Sequence, residues 1–374
     1  MRGRRISLVF GSMAAIMGFV AVSTPPATAF FRFRMRLAPD QERTNRMPSN
    51  DRLLSLDLSG AKIPAAVSLP VGPAPKWGLV LIPGSFNSDL DGNYSFKDGN
   101  PFEARPHMYA DLARQLAGCG VAVLRFARAG LTISDPAKAG RLREFAGRVD
   151  VAAEACRALR AAVPGLRRVA VAGHSEGGVV ALLLLTTRLD VAVDAMISLS
   201  GPGQRFFDIM IEQSVSTARG GFIQMGPMRV PAEAYKESFR YVREGRPVPD
   251  ELRKILPSYA VAAMPLQAQA YLREYDRVDP GQTMARVSVP VLIVQGGSDT
   301  SVLPENAARL LAAREGKTPP AERAFFGELN HFYKVVPPGT DPLANFALAT
   351  DTDERVARAI AAWLTKQTEN KKDR

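Results

Sequence analysis

The segment Gly173-His174-Ser175-Glu176-Gly177 sets a serine between two glycines. It follows an apolar strand signal, Val169 to Ala172, and precedes a helix from Val179. At a strand-to-helix junction this spacing implies a turn too tight for side chains two before and two after the serine. The serine is then held in a strained conformation with its hydroxyl clear of the backbone. The bland alternative is a serine that only caps the helix. A nucleophilic hydroxyl needs a base, an orienting acid and donors for the anion it creates.

The chain has three histidines. His174 lies in the turn itself, where chain geometry points its ring away from the serine. His107 precedes the serine and opens a helix, which suits a capping or pocket-rim residue. His331, in Leu329-Asn330-His331-Phe332, follows the last strand signal, Ala324 to Phe326, so a loop would deliver its imidazole to the edge where Ser175 stands. The acid is then Asp299, in Gln295-Gly296-Gly297-Ser298-Asp299, directly after the apolar run Val291 to Val294. The preceding strand offers no carboxylate in Leu199-Ser200-Gly201-Pro202-Gly203, and Asp208 reads as surface. Backbone N–H groups of Glu176 and of Ser85, in Pro83-Gly84-Ser85, are the expected oxyanion donors, with Phe86 in reserve; the Glu176 side chain suits a helix N-terminus. Asn87-x-Asp89-x-Asp91-Gly92 with Asp98 has the spacing of a calcium loop. It lacks a preceding helix and ends in Asp, which favours a structural turn. No metal or organic cofactor is required.

These residues need a scaffold that brings separate loops to one edge. Leu53 to Leu58 and Ala65 to Leu69 suit an antiparallel hairpin at a sheet edge. Leu79 to Ile82, Val121 to Leu124, Val169 to Ala172, Ala195 to Leu199 and Val291 to Val294 are apolar on both faces, as in buried parallel strands. Tyr109 to Ala117, Leu142 to Val163 and Val179 to Leu185 supply helical crossovers, and Glu354 to Leu364 a last helix. The expected fold is a mostly parallel, doubly wound α/β sheet, with core segments 53–202 and 283–366. The connection after Leu199 is far longer than a crossover needs, so residues 203–282 are expected to form an inserted helical cap. Its apolar Phe206, Phe207, Ile209, Met210, Phe222, Ile223, Met225 and Met228 suit either packing within the cap or an adaptable surface over Ser175.

Arg2, Arg4 and Arg5, the apolar stretch Ile6 to Val22 and Ala27-Thr28-Ala29 read as a secretory signal over residues 1–29, with an uncleaved anchor as the rival reading; the small-residue cleavage site favours the signal. Export to the periplasm or beyond is expected, with no stable membrane insertion after cleavage. An arm and linker, 30–52, and a polar tail, 367–374, flank the core. The net charge is +11, but the basic residues are dispersed and match no nucleic-acid motif, so nucleic-acid binding is not expected. Two cysteines, Cys119 and Cys156, are expected to be unpaired and mostly buried.

Pro83-Gly84-Ser85, Val123-Leu124-Arg125-Phe126, Gly173-His174-Ser175-Glu176-Gly177-Gly178, Val289 to Gly296 leading to Asp299, and Asn330-His331-Phe332 together resemble the α/β-hydrolase superfamily. Within it, the chain resembles bacterial esterases related to the serine aminopeptidase-like group. The resemblance runs from about Leu53 to Leu364, leaving the insertion uncovered. It implies a Ser175–Asp299–His331 triad acting on a small-molecule carboxylic ester. A peptidase or amidase would use the same machinery, and a non-catalytic binding protein on this fold would be expected to have lost part of the triad. One departure stands out. Relatives carry Asp, a basic residue, Arg and Gly after the strand ending at Phe126, where this chain has Ala127-Arg128-Ala129-Gly130.

Overall fold

A computed structural model describes residues 35–36, 51–98, 102–340 (apart from 129, 136–137, 217, 226–227, 258–259, 265 and 267–268), 348 and 350–369. The expected signal, most of the arm and the end of the tail lie outside these residues. The core sheet is built from β1 (Asp51–Leu58), β2 (Ala61–Ser68), β3 (Trp77–Ile82), β4 (Ala122–Phe126), β5 (Arg168–His174), β6 (Ala195–Leu199), β7 (Val291–Gly296) and β8 (Ala321–Phe326). Their order across the sheet is 8-7-6-5-3-4-2-1, with a two-residue strand, Thr132–Ile133, added beside β2. β1 and β2 form an antiparallel hairpin and β2 joins β4 antiparallel; all other core pairs are parallel. This is the mostly parallel, doubly wound α/β sheet that the strand signals lead one to expect, with the strand order that the resemblance to α/β-hydrolases implies.

β3, β4 and β7 are buried at every position. Apolar runs account for most of this, while the buried Arg125 and Gln295 carry hydrogen-bond partners, Ser68 and Asp51 for the first and Asp299 for the second. β8 alternates between half-buried and exposed, as an edge strand does. The register pairs Ile82 with Gly173, His174 with Leu199, Leu199 with Val294 and Gly296 with Phe326. The strands therefore end at one level, and the loops that follow share one edge.

Helices α1 (Met108–Gly118), α2 (Phe145–Ala162), α3 (Glu176–Thr187), α4 (Glu305–Ala312) and α5 (Glu354–Glu369) complete the core. α1 packs with α5, and α2 with α3. α2 starts later than its periodicity suggests, because a 3₁₀ segment, Lys138–Arg143, precedes it and Glu144 is extended. α5 continues to Glu369, so the first residues assigned to a polar tail are helical. Cys119, expected to be mostly buried, is exposed just beyond α1, whereas Cys156 is buried on α2; both are free thiols. Among the described residues no helix is long and apolar enough to cross a membrane.

Residues Arg205–Arg277 form a separate compact unit. It contains helices Phe206–Ser216, Ala232–Glu244, Asp250–Lys254 and Ala270–Asp276, and also an antiparallel hairpin, Phe222–Met225 with Met228–Pro231. Phe206 stacks on Tyr275 at 4.6 Å, and Phe207 meets Phe239, which meets Tyr235. These ring contacts fit the internal-packing alternative for this part of the apolar set. Asp276, buried, accepts from the Phe207 N–H and from Arg243, which also pairs with Asp208. Pro280–Met284, partly assigned to the insertion by sequence, instead packs on α3 in the core.

Candidate active site

Ser175 separates β5 from α3 with φ 54° and ψ −125°, a conformation that only strong local constraint retains in a non-glycine residue. Its N–H donates to the Leu199 carbonyl at 2.9 Å, and its carbonyl accepts from the Gly178 N–H at 2.8 Å. The turn leaves no room for neighbouring side chains. A Cβ at Gly173 would lie 2.1 Å from the Gly177 oxygen, and one at Gly177 would lie 2.4 Å from the Ile82 oxygen. Although Ser175 occupies the N-cap position of α3, its hydroxyl makes no capping hydrogen bond. The helix-cap reading therefore lacks the interaction that defines it.

His331 and Asp299 are brought together. Nδ1–H of His331 donates to Oδ2 of Asp299 at 2.8 Å, which leaves Nε2 as the basic nitrogen. Asp299 is buried. Its Oδ1 accepts from the N–H groups of Ser301 and Val302 at 2.8 and 2.9 Å, and Oδ2 also accepts from Gln295 Nε2 at 3.3 Å. The loop after β8 is pinned by Asn330, whose Oδ1 accepts from the N–H groups of Phe332 and Lys334, each at 2.9 Å. Asp208 belongs to the Arg205–Arg277 unit, where it pairs with Arg243 at 2.8 Å.

His174 is turned to other partners and joins two loops. The Tyr109 hydroxyl accepts from the Gly84 N–H at 2.8 Å and faces His174 Nδ1 at 3.0 Å. His174 Nε2 lies 3.0 Å from the His331 carbonyl, an acceptor only. These partners fix the tautomer: Nε2–H donates to the carbonyl, and Nδ1 accepts from Tyr109. Burial, and secondarily the neighbouring His331, hold the His174 pKa well below its usual value, so the ring stays neutral. The rings of His174 and His331 lie 4.5 Å apart, which sets the His331 loop beside the residue preceding Ser175.

The Pro83-Gly84-Ser85 loop faces the elbow: a Cβ on Gly84 would lie 3.2 Å from Ser175 Cβ. Phe86 turns the chain at φ 68°. Glu176 is the first residue of α3, where backbone N–H groups have no acceptor within the helix. Its side chain does more than favour the helix terminus. Oε2 accepts the Ser85 hydroxyl at 2.8 Å, while Oε1 is bound by Arg148 and lies 3.4 Å from Arg128 Nη1. Arg148 and Tyr109 escape a motif search, yet Arg148 left a trace. It sits on the stripe of α2 that buries Phe145, Val149 and Ala152, where a charged residue needs a partner.

His107 does not cap α1 with its side chain. It has left-handed φ 55°, and its N–H donates to Asn93 Oδ1 at 3.2 Å. The calcium-like segment is closed on itself. Asp89 accepts from the N–H groups of Asp91 and Asn93 and from Asn93 Nδ2, while Asn87 Nδ2 donates to the Asp98 carbonyl at 2.7 Å. Among the described residues no group of three His, Cys, Asp or Glu side chains is disposed to hold a metal ion.

The model of the alpha/beta hydrolase family matches residues 79–359. Esterase EstD of Thermotoga maritima is 23% identical over 311 residues, which cover 83% of this chain and 67% of that protein. Among solved structures, Est1E from Butyrivibrio proteoclasticus aligns over 85% of this chain and 99% of its own, at 14% identity and a TM-score of 0.48. A puromycin-hydrolyzing peptidase of Mycobacterium tuberculosis aligns over 85% of this chain and 39% of its own, at 18% identity and a TM-score of 0.45.

Proposed function

Because the chain belongs to the alpha/beta hydrolase family, we propose that it is a serine hydrolase that cleaves small-molecule carboxylic esters through an acyl-enzyme. The observation that carries this reading is the strained, uncapped Ser175 at the strand edge that also bears the hydrogen-bonded His331–Asp299 pair. Ser175 Oγ attacks the ester carbonyl as His331 Nε2 takes its proton. Asp299 orients the imidazole and stabilises its charged form, and the N–H groups of Ser85 and Glu176 receive the oxyanion. Collapse of the tetrahedral intermediate expels the alcohol, which takes the proton from His331. Water, activated by the same imidazole, then releases the acid. The similarity to a curated esterase supports an ester as substrate, and alcohol leaving groups need less protonation than amines. Residues 1–29 are read as an export signal, and the mature enzyme as periplasmic or secreted.

A fluorophosphonate probe tests the nucleophile, and a paired assay tests the substrate class. Labelling is expected in the wild-type protein and absent in Ser175→Ala. p-Nitrophenyl esters of short to medium acids are expected to turn over much faster than aminoacyl nitroanilides. Persistent labelling of the variant sinks the nucleophile, and faster nitroanilide cleavage replaces the esterase reading with a peptidase.

A further inference from the structure

The peptide unit joining Gly84 to Ser85 is gripped by charged side chains from distant parts of the chain. The Gly84 carbonyl accepts from Arg128 Nη1 at 2.9 Å and from Arg148 Nη2 at 3.3 Å, and Arg148 Nη2 also reaches the Pro83 carbonyl at 2.5 Å. Both guanidiniums meet Glu176 Oε1, and Oε2 of the same carboxylate holds the Ser85 hydroxyl. On the other side of the glycine, its N–H is taken by the Tyr109 hydroxyl. The side chains of Arg148 and Glu176 are 8% and 4% exposed, and that of Arg128 16%, so little water screens the cluster.

A trans peptide is planar, with its C=O and N–H on opposite sides. Fixing the Gly84 carbonyl therefore fixes the direction of the Ser85 N–H, which points away from the two guanidiniums. Positive charge at the carbonyl end also draws electron density along the amide and makes its N–H a stronger donor. We infer that Arg128 and Arg148 are positioning residues that aim and polarise the Ser85 N–H as an oxyanion donor. This inference rests on the reading of Ser175 as the nucleophile. Arg suits the role better than Lys, because its planar fork serves a carboxylate and a carbonyl together. Arg128 lies in the segment that departs from the family pattern, so that departure keeps the basic residue this peptide uses.

Arg128→Ala is the informative variant, since its side chain is the most exposed of the cluster; Arg128→Lys is made alongside it. Wild-type and variant proteins are compared for p-nitrophenyl butyrate turnover, affinity for a trifluoromethyl ketone that adds to the serine, and completeness of fluorophosphonate labelling. In Arg128→Ala, kcat is expected to fall about ten- to a hundredfold with little change in KM, below the 10²–10³ of deleting a donor outright. Ketone affinity should fall by a similar factor, and Ser175 should still label to completion. Arg128→Lys should recover part of kcat, and guanidinium at non-denaturing concentration should partly rescue Arg128→Ala. An unchanged kcat, or a lost kcat with full ketone affinity, overturns the inference. If Arg128→Ala does not fold, a wild-type kcat and ketone affinity in Arg128→Lys overturn it equally. Absence of labelling in the wild-type protein instead strikes the nucleophile reading itself.

Discussion

Asp299 and His331 stand in loops after adjacent strands, and Asp299 is held by partners close in sequence: the main-chain N–H groups of Ser301 and Val302 and the Gln295 side-chain amide. The Pro83-Gly84-Ser85 loop is held differently. Its partners are side chains of Tyr109, Arg128, Arg148 and Glu176, from four other elements. A local main-chain cradle depends on chain direction and a short loop, and it survives substitution of most neighbours. A cluster of distant ionic side chains depends on every member, because removing one strands the charge or acceptor of another.

The largest loss is expected at the His331–Asp299 pair. Asp299→Asn keeps a side chain that can accept from Ser301 and Val302, so the fold should persist. The amide, however, no longer stabilises the His331 imidazolium or selects its tautomer. Ester turnover is expected to drop by about 10⁴-fold, while Asp208→Asn, in the other unit, stays near wild type. An equal loss in Asp208→Asn would reassign the acid.

The difference between the two regions also governs what the sequence made legible. Ser175 and Asp299 each follow a strand with a long apolar run, and His331 follows the shorter signal Ala324 to Phe326, so their places after successive strands could be read from order. The parallel sheet followed from the same runs. The roles of Tyr109 and Arg148 could not be read, because each acts on a backbone group far away in sequence, which no spacing encodes. Arg128 stands out in the sequence only as the basic residue kept in a segment that otherwise departs from relatives at Ala127 and Ala129. The exposure of Cys119 was missed because helix periodicity says nothing about the residue just past the helix end.

Tyr109 offers a smaller break. Tyr109→Phe leaves the Gly84 N–H and His174 Nδ1 without their shared partner in a buried place. Urea denaturation should report a loss of about 1–3 kcal/mol, and kcat should fall about tenfold as the Ser85 peptide loses one of its restraints. A variant as stable and active as wild type would mean that the arginines alone hold the loop.

His174 couples the Ser175 turn to pH. Its folded pKa lies well below the ordinary 6.5, so below that pH the unfolded chain binds a proton that the native ring refuses. The stability tied to the neutral ring is intact above pH 6.5 and declines as pH falls from 6.5 towards the folded value. The slope approaches about 1.4 kcal/mol per pH unit. Urea midpoints measured from pH 7 downward should fall more steeply for wild type than for His174→Asn. Parallel curves would show that the ring protonates freely in the native protein.

The smallest expected effect concerns a place remote from both loops. α1 carries Tyr109 at its first turn and Cys119 just past its last residue, and a rise of 1.5 Å per residue sets the two about 15 Å apart. Cys119 is exposed and borders a groove of about 600 Å³ lined by Val71, Arg114 and Arg358, while Cys156 is buried with its thiol pushed up to about 12. The thiolate is the reacting species, so Cys156 should be inert in the native state. A disulfide-exchange reagent should modify one thiol in native, unreduced protein and two after unfolding. Modification at Cys119 should leave ester turnover unchanged, because the far end of α1 touches neither the acid–base pair nor the Gly84 peptide. Loss of activity on that modification would show that strain at the C-terminal end of α1 reaches Tyr109, and that the Pro83–Ser85 loop depends on still more distant parts of the chain than its four side-chain partners.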